Sequence, residues 1–152
     1  MLELREVVLA DLRTYFRLKV APEQQDLVSA NEFTLALAAY EKGAHVWGLW
    51  DGGVAVGLMA MIHPHQSGDL DEGDDLDAAY VWRLMIGAEH QRKGYGKQAL
   101  LAAIDQATEW NLPRICLSVA DEPHSAMPFY EGVGFVKTGR VIEDEIELSR
   151  DV

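Results

Sequence analysis

The stretch Ala78–Lys97, AAYVWRLMIGAEHQRKGYGK, decides the fold of this 152-residue chain. Its first part, residues 78–87, is almost wholly apolar, which predicts a central strand buried on both faces. A glycine-rich turn follows, and a helix is predicted from about Tyr95 to Trp110. Leu100, Ala103, Ile104 and Ala107 form the predicted buried stripe of that helix.

The turn between this strand and this helix has the chemistry of an anion site. N–H groups in the first turn of a helix have no internal partners, and the macrodipole makes that end positive. Gly94 and Gly96 let a ligand approach the backbone closely. Residues 92–97 hold three bases and no acid. We therefore expect a phosphate-bearing ligand here, the alternative being an ordinary junction that uses glycine for turning.

A dinucleotide-binding motif is a competing interpretation of the same glycines. Residues 94–99, GYGKQA, fit the pattern G-x-G-x-x-A. That motif requires a tight turn immediately after the first strand of a βαβ fold. Here the glycines lie well beyond the strand end, and too little chain follows for the remaining βα units. The context therefore disfavours a dinucleotide fold.

The rest of the chain alternates predicted strands and helices. The predicted strands cover residues 2–9, 45–50, 54–62, 113–119 and a final hairpin within 136–148. The other predicted helices are 11–19, 31–43 and 125–133, with Asp11, Asn31 and Ser125 as caps. This order predicts one α/β (α+β) domain over residues 1–152, a mixed sheet of about six or seven strands flanked by about four helices.

Composition and charge restrict the partners of the protein. The net charge of −12 repels a phosphate backbone and attracts cations, so nucleic acid is not an expected partner. Six acids fall within residues 69–77. No apolar run is long enough for a bilayer, and the N-terminus lacks the pattern of a signal peptide. Together with the single Cys116, these features predict a cytoplasmic protein without a disulfide.

Three segments carry a resemblance to a known family. Residues 91–96, QRKGYG, resemble the Q/R-x-x-G-x-G/A signature of the GNAT acetyltransferase superfamily. Residues 83–86 resemble the splayed strand that precedes this signature. Residues 129–135, FYEGVGF, resemble the later F/L-Y-x-x-x-G-F segment. The pattern of residues 20–24 and 80–86 is similar to that of bacterial diamine and polyamine acetyltransferases.

The resemblance implies acetyl-CoA as acyl donor, two splayed strands at its site, and no metal. The backbone of residues 84–86 would bind the pantetheine arm and polarise the thioester carbonyl, and the turn would bind the pyrophosphate. Tyr130 would protonate the departing thiolate, since a tyrosine carries its proton at neutral pH. The implied cofactor-binding residues are Leu84, Met85, Ile86, Gln91, Arg92, Lys93, Gly94, Tyr95, Gly96, Lys97, Ala126 and Phe129.

The chain departs from the family pattern in two places. Pro123 stands where many relatives have an asparagine, so that Glu122 or Ser125 would have to supply its contact. The central strand lacks the carboxylate that some polyamine acetyltransferases use as a base. We assign no base. The candidates, each better explained as a solvated loop residue, are His63, His65, Glu23 and Asp121.

These observations predict direct acetyl transfer to the primary amine of a small cation, a polyamine or diamine, by a homodimer expected from family analogy. Another amine, such as a protein N-terminus or an aminoglycoside, and a non-catalytic acyl-CoA sensor remain alternatives. Acidic residues 69–77 would steer the cation or only keep a mobile loop soluble. Trp47, Trp50 and Trp82 would offer cation–π faces or fill the core. The pair His63 and His65 is a weak metal motif.

Overall fold

The apolar strand forms the middle of a seven-stranded sheet in the computed structural model, which describes residues 1–152. The strands lie in the order β1-β2-β3-β4-β5-β7-β6, and only the pair β4–β5 is parallel. The predicted mixed sheet is thereby confirmed. The strands are β1 (Leu2–Glu6), β2 (Ala44–Asp51), β3 (Val54–Ile62), β4 (Ala78–Ile86), β5 (Arg114–Ala120), β6 (Val136–Ile142) and β7 (Glu145–Asp151).

Four α-helices flank the sheet, as predicted. They are α1 (Leu12–Arg17), α2 (Asn31–Ala38), α3 (Tyr95–Glu109) and α4 (Met127–Gly132). Short 3-10 turns occupy Leu9–Asp11, Pro22–Gln24 and Ala88–His90. The predicted stripe of α3 is buried in one cluster with the sheet, so its apolar face holds the helix against β4.

The caps predicted for α1 and α2 are wrong. No side chain caps either helix, and an alanine precedes α2, whereas the hydroxyl of Ser125 accepts the N–H of Met127, the first residue of α4, at 3.4 Å. Asn31 is instead the first residue of α2, is buried, and donates from Nδ2 to the carbonyl of Tyr15 at 2.9 Å. The side chain that was predicted to cap α2 therefore satisfies the hydrogen-bonding need of a buried carbonyl oxygen of α1.

Two helices are shorter than predicted. The helix α1 ends at Arg17 rather than Lys19, and α2 ends at Ala38 rather than near Gly43. Turns follow α2 until Gly43, which has a φ of 80° and leads into β2. The early end of α1 leads through the 3-10 turn Pro22–Gln24 to α2, and the early end of α2 leads to the sheet.

The centre of the sheet splits at β4 and β5. These strands pair only where Ala78–Tyr80 lie beside Arg114–Cys116, and they diverge beyond that point. On the opposite edge of β4, the register with β3 shifts so that Trp82 is an extra residue without a partner. A bulge of this kind bends and twists its strand. The predicted splay of the central strands is thus present.

Candidate active site

A cleft of about 1020 Å³ opens where β4 and β5 diverge. Its walls include residues 81–86 of β4 and 117–120 of β5, and the starts of α3 and α4 border it. Of the residues predicted for the site, Lys93 is exposed and does not line this cleft. The others all line it, namely Leu84, Met85, Ile86, Gln91, Arg92, Gly94, Tyr95, Gly96, Lys97, Ala126, Phe129 and Tyr130.

The turn before α3 presents its backbone N–H groups to this cleft region without internal partners. No N–H of residues 92–97 donates to another atom of the chain, whereas the N–H of Gln98 already bonds to Gly94 within the helix. Arg92 and Gly94 have left-handed φ values of 62° and 87°. Such alternation of backbone conformation forms a concave array of N–H donors that fits an anion. The turn therefore has the donor set that a diphosphate needs.

Side chains hold this turn in place. Gln91 donates from Nε2 to the carbonyl of Ile86 at 3.0 Å and to Oε1 of Gln24 at 2.8 Å. The hydroxyl of Tyr95 donates to Asp51, and this bond raises the pKa of Tyr95. The sequence predicted that Gln91 binds the ligand. In this structure its side-chain amide instead connects the turn to the end of β4.

Tyr130 lies on the opposite side of the cleft, on α4. Burial, and secondarily the charge of Glu145, raises the pKa of Tyr130 to about 12. Its hydroxyl has no hydrogen bond to the protein and is not among the fully enclosed polar atoms, so it opens into the cleft. A neutral hydroxyl in this position can give its proton to a thiolate.

The structure explains the pattern of residues 129–135, FYEGVGF. The helix α4 closes with a bond from the N–H of Phe135 to the carbonyl of Tyr130 at 3.2 Å, and Gly134 has a φ of 96° that favours glycine. A Cβ on Gly96 would lie 3.5 Å from the ring of Phe129. Phe129 therefore packs against the start of α3 and sets the spacing between α3 and α4.

The candidate bases proposed from the sequence do not reach this site. None of His63, His65, Glu23 and Asp121 lines the cleft. His63 packs against Trp110 with ring centroids 4.9 Å apart, and burial lowers its pKa. No three His, Cys, Asp or Glu side chains are grouped to hold a metal ion.

The aromatic candidates separate into two groups. Trp47 stacks on His45, and the buried Trp50 donates from its indole N–H to the hydroxyl of Tyr15 at 2.9 Å. Trp82, the bulge residue of β4, is the tryptophan that lines the cleft. Ser125 also lines the cleft, whereas Glu122 and Pro123 do not.

Two arginines of the sheet form ion pairs with the acidic segment 69–77. Arg140 on β6 contacts Asp74 at 2.6 Å, and Arg114 on β5 contacts Asp75 at 2.6 Å. The hydrogen bond from Arg114 lowers the pKa of Asp75. These ion pairs attach the segment to the sheet, where it forms one wall of a second cavity.

This second cavity of about 280 Å³ adjoins the cleft. The residues that line both spaces are Trp82, Arg83, Ser118, Glu143 and Glu145. Sequence reasoning missed the grouping of Tyr80, Ser118 and Glu145, because these residues lie on three strands that are far apart in the sequence. Only the fold brings these three together, through a hydrogen bond of 2.9 Å between the hydroxyls of Tyr80 and Ser118 and one of 2.9 Å from Ser118 to Glu145.

The sequence model of the Acetyltransferase (GNAT) family matches residues 6–135. The chain belongs to the GNAT acetyltransferase family. The acyltransferase class expected from the sequence is confirmed at the level of this family. A curated member, the spermidine N(1)-acetyltransferase of Vibrio cholerae, is 38% identical over 64 residues, which are 41% of this chain and 37% of that relative. The match thus spans little more than a third of the relative's length.

Solved GNAT structures confirm the fold. Spermidine N-acetyltransferase from Vibrio cholerae, solved with CoA and spermine, superposes with a TM-score of 0.71 at 22% identity, over 99% of this chain and 95% of that one. An aminoglycoside acetyltransferase solved with coenzyme A gives a TM-score of 0.80 at 16% identity, over 99% and 95%. The PaiA N-acetyltransferase of Thermoplasma acidophilum, also with coenzyme A, gives 0.70 at 14%, over 100% and 99%.

No helix of this GNAT chain combines the length and the apolar character that crossing a membrane demands.

Proposed function

We propose that this GNAT chain transfers the acetyl group of acetyl-CoA directly to the primary amine of a small cation, a polyamine or diamine. The observation that carries the proposal is the row of unpartnered N–H groups in residues 92–97, beside two splayed strands. A diphosphate needs these donors, and an extended pantetheine arm needs an unpaired strand edge. Both are present at one cleft.

Acetyl-CoA supplies the reactive thioester in this proposal, and the chain supplies its binding and the protons. The N–H groups of the turn hold the pyrophosphate, with Arg92 and Lys97 adding positive charge. The edge of β4 at residues 84–86, which β5 does not pair, holds the pantetheine arm and polarises the carbonyl. Tyr130 protonates the leaving thiolate. Ala126 and Phe129 border the thioester end from α4.

A cationic acceptor suits the charges around the second cavity. Its lining includes eight carboxylates and one base, Arg83. Arg114 and Arg140 neutralise some of the carboxylates, but Glu41, Asp69 and Asp71 have no cationic partner. A polyamine with several ammonium groups would be attracted there. The partial match to spermidine N(1)-acetyltransferase supports the same class of amine.

Thiol release from acetyl-CoA tests this function. The purified protein is assayed with spermidine, spermine, a diamine, an aminoglycoside and a peptide with a free N-terminus. We expect turnover with the polyamines or the diamine at the highest kcat/KM. Preferred turnover of the aminoglycoside or the peptide would contradict the substrate class. CoA binding without turnover of any amine would contradict catalysis and favour a sensor.

Three further assignments complete the proposal. Residues 1–152 form one catalytic domain, the active form is a homodimer, and the protein works in the cytoplasm without nucleic acid or membrane as partners. Light scattering of the purified protein measures the assembly. A monomer mass at assay concentration would contradict the dimer.

A further inference from the structure

The junction between the cleft and the second cavity contains a carboxylate with one oxygen bound and one oxygen open. Oε1 of Glu145 accepts a hydrogen bond from Oγ of Ser118 at 2.9 Å. Oε2 of Glu145 has no hydrogen-bond partner and is not among the enclosed, unpartnered atoms. Glu145 lines both spaces, so this oxygen faces the region where they meet.

The hydrogen bonds around Glu145 have a fixed direction. Ser118 has a single hydroxyl proton, and it donates that proton to Glu145. The bond of 2.9 Å between Ser118 and Tyr80 must then have the Tyr80 hydroxyl as its donor. The chain runs from Tyr80 on β4 through Ser118 on β5 to Glu145 on β7. Three strands thus orient one carboxylate.

Glu145 also shares the cleft with the proposed acid, since both side chains line it. The charge of Glu145 adds to the larger effect of burial, which raises the pKa of the Tyr130 hydroxyl. The thioester end of acetyl-CoA, placed beside Tyr130 by the proposed function, would therefore lie in the same cleft as the open oxygen of Glu145.

We infer that Glu145 is the group that accepts the proton of the attacking amine, at the junction of the cleft and the second cavity. The inference rests on the proposed function. It adds the carboxylate base that the central strand β4 lacks. The remaining ammonium groups of a polyamine would occupy the acidic cavity behind the attacking nitrogen. Glu145 is then a catalytic residue, and Ser118 and Tyr80 are positioning residues.

The proton and electron balance of the step is simple. The lone pair of the neutral amine forms the bond to the carbonyl carbon as the C=O π pair moves onto oxygen, and the nitrogen becomes positively charged and acidic. The return of that pair later re-forms the C=O bond and expels the thiolate. Oε2 of Glu145 takes one proton from this nitrogen. The C–S bond breaks with its electron pair on sulfur, which takes the proton of Tyr130. Glu145 then loses its proton to solvent and the Tyr130 phenolate gains one, so that an amide and a thiol are the products.

Other titratable groups line one or both of these spaces and contribute to the pH dependence of the site. They are Tyr80 and Arg83 on β4, Cys116 on β5, Tyr130 on α4, and Glu143 and Glu147 beside Glu145. Arg83 is the cation of this set, and burial lowers its pKa. A pH profile must therefore be compared between variants of Glu145 rather than interpreted alone.

The test compares Glu145→Gln, Glu145→Asp and the wild type with the amine that the wild type uses best. Gln keeps an acceptor for Ser118 but cannot take a proton, so we expect kcat to fall roughly 100-fold or more near neutral pH. The difference in kcat between Glu145→Gln and the wild type should become smaller at high pH, where hydroxide can remove the proton of the attacking amine. Asp keeps a carboxylate and should retain part of the activity. The affinity for CoA should not change.

Asp144→Asn is the matched control, because it removes one negative charge from the exposed turn of the same hairpin without touching either cavity. We expect wild-type kcat from it. Unchanged kcat and pH profile in Glu145→Gln would overturn the inference, as would a rise in KM alone. Absence of turnover in the wild type would instead overturn the proposed function. A melting temperature for each variant confirms that it is folded.

Discussion

Tyr130 has the most specific chemical environment of any single residue in the cleft. Its ring is enclosed by α4 and Phe135, whose centroid is 6.0 Å away, while its hydroxyl has no protein partner. Burial raises its pKa to about 12, so the hydroxyl keeps its proton throughout the range in which the protein would be assayed. These properties suit a proton donor and would exclude a base.

Tyr130→Phe removes only this hydroxyl. We expect kcat to fall by roughly 100-fold, because the thiolate must then leave without a positioned acid. The affinity for CoA should remain near the wild-type value, since the ring and its packing are kept. Thiol release and calorimetry measure the two quantities. Tyr40→Phe, at a site that is 90% exposed, is the control. Equal turnover in both variants would remove Tyr130 from the mechanism.

At the scale of elements, the turn from β4 into α3 connects backbone conformation with ligand binding. Gly94 precedes α3 with a φ of 87° and a ψ of 0°. A non-glycine residue in this left-handed region is disfavoured by about 1–2 kcal/mol. Space does not require glycine here, because the nearest atom to an added Cβ would be 4.0 Å away. The conformation itself requires it.

Gly94→Ala should therefore weaken CoA binding by about tenfold, the equivalent of about 1.4 kcal/mol, because part of the turn must change conformation. Gly53→Ala is the matched control, since nothing lies within 4 Å of its added Cβ and its φ is not left-handed. Calorimetry with CoA measures both variants. Equal affinities would mean that the geometry of the turn does not determine binding.

The sequence predicted the existence of strongly patterned helices and strands better than it predicted where these elements begin and end. The apolar run of β4 and the buried stripe of α3 were sufficient to locate the centre of the fold. The cap predicted at Asn31 failed, because that side chain binds a backbone carbonyl in the core instead of its own helix. The grouping of Tyr80, Ser118 and Glu145 could not be predicted, because it depends on the register of β5 with β4 and β7.

At the scale of the whole molecule, the net charge of −12 coexists with a ligand turn that carries three bases. This distribution separates two kinds of ligand. Under the proposed function, a local array of N–H groups and bases would hold an anionic cofactor, and the remainder of the surface would attract a cationic acceptor. The turn follows the end of β4, whereas the acidic cavity lies beside residues 78–83 of that strand.

The ionic strength should therefore change the kinetics in a way that depends on substrate charge. The KM for a triamine should rise markedly between low salt and about 0.5 M salt, because screening shortens the range of the acidic field. The KM for a monoamine of similar length should rise much less. Initial rates at saturating acetyl-CoA measure the effect. A similar salt dependence for both amines would argue against steering by the acidic residues.

The main-chain donors of residues 92–97 are the basis of the whole account, and an amide NMR titration observes them directly. A ¹⁵N-labelled sample is titrated with CoA and, separately, with pantetheine, which lacks the diphosphate. We predict large shifts of the amides of residues 92–97 with CoA and small ones with pantetheine. If CoA binds and these amides do not move, the turn does not hold the diphosphate and the account is wrong.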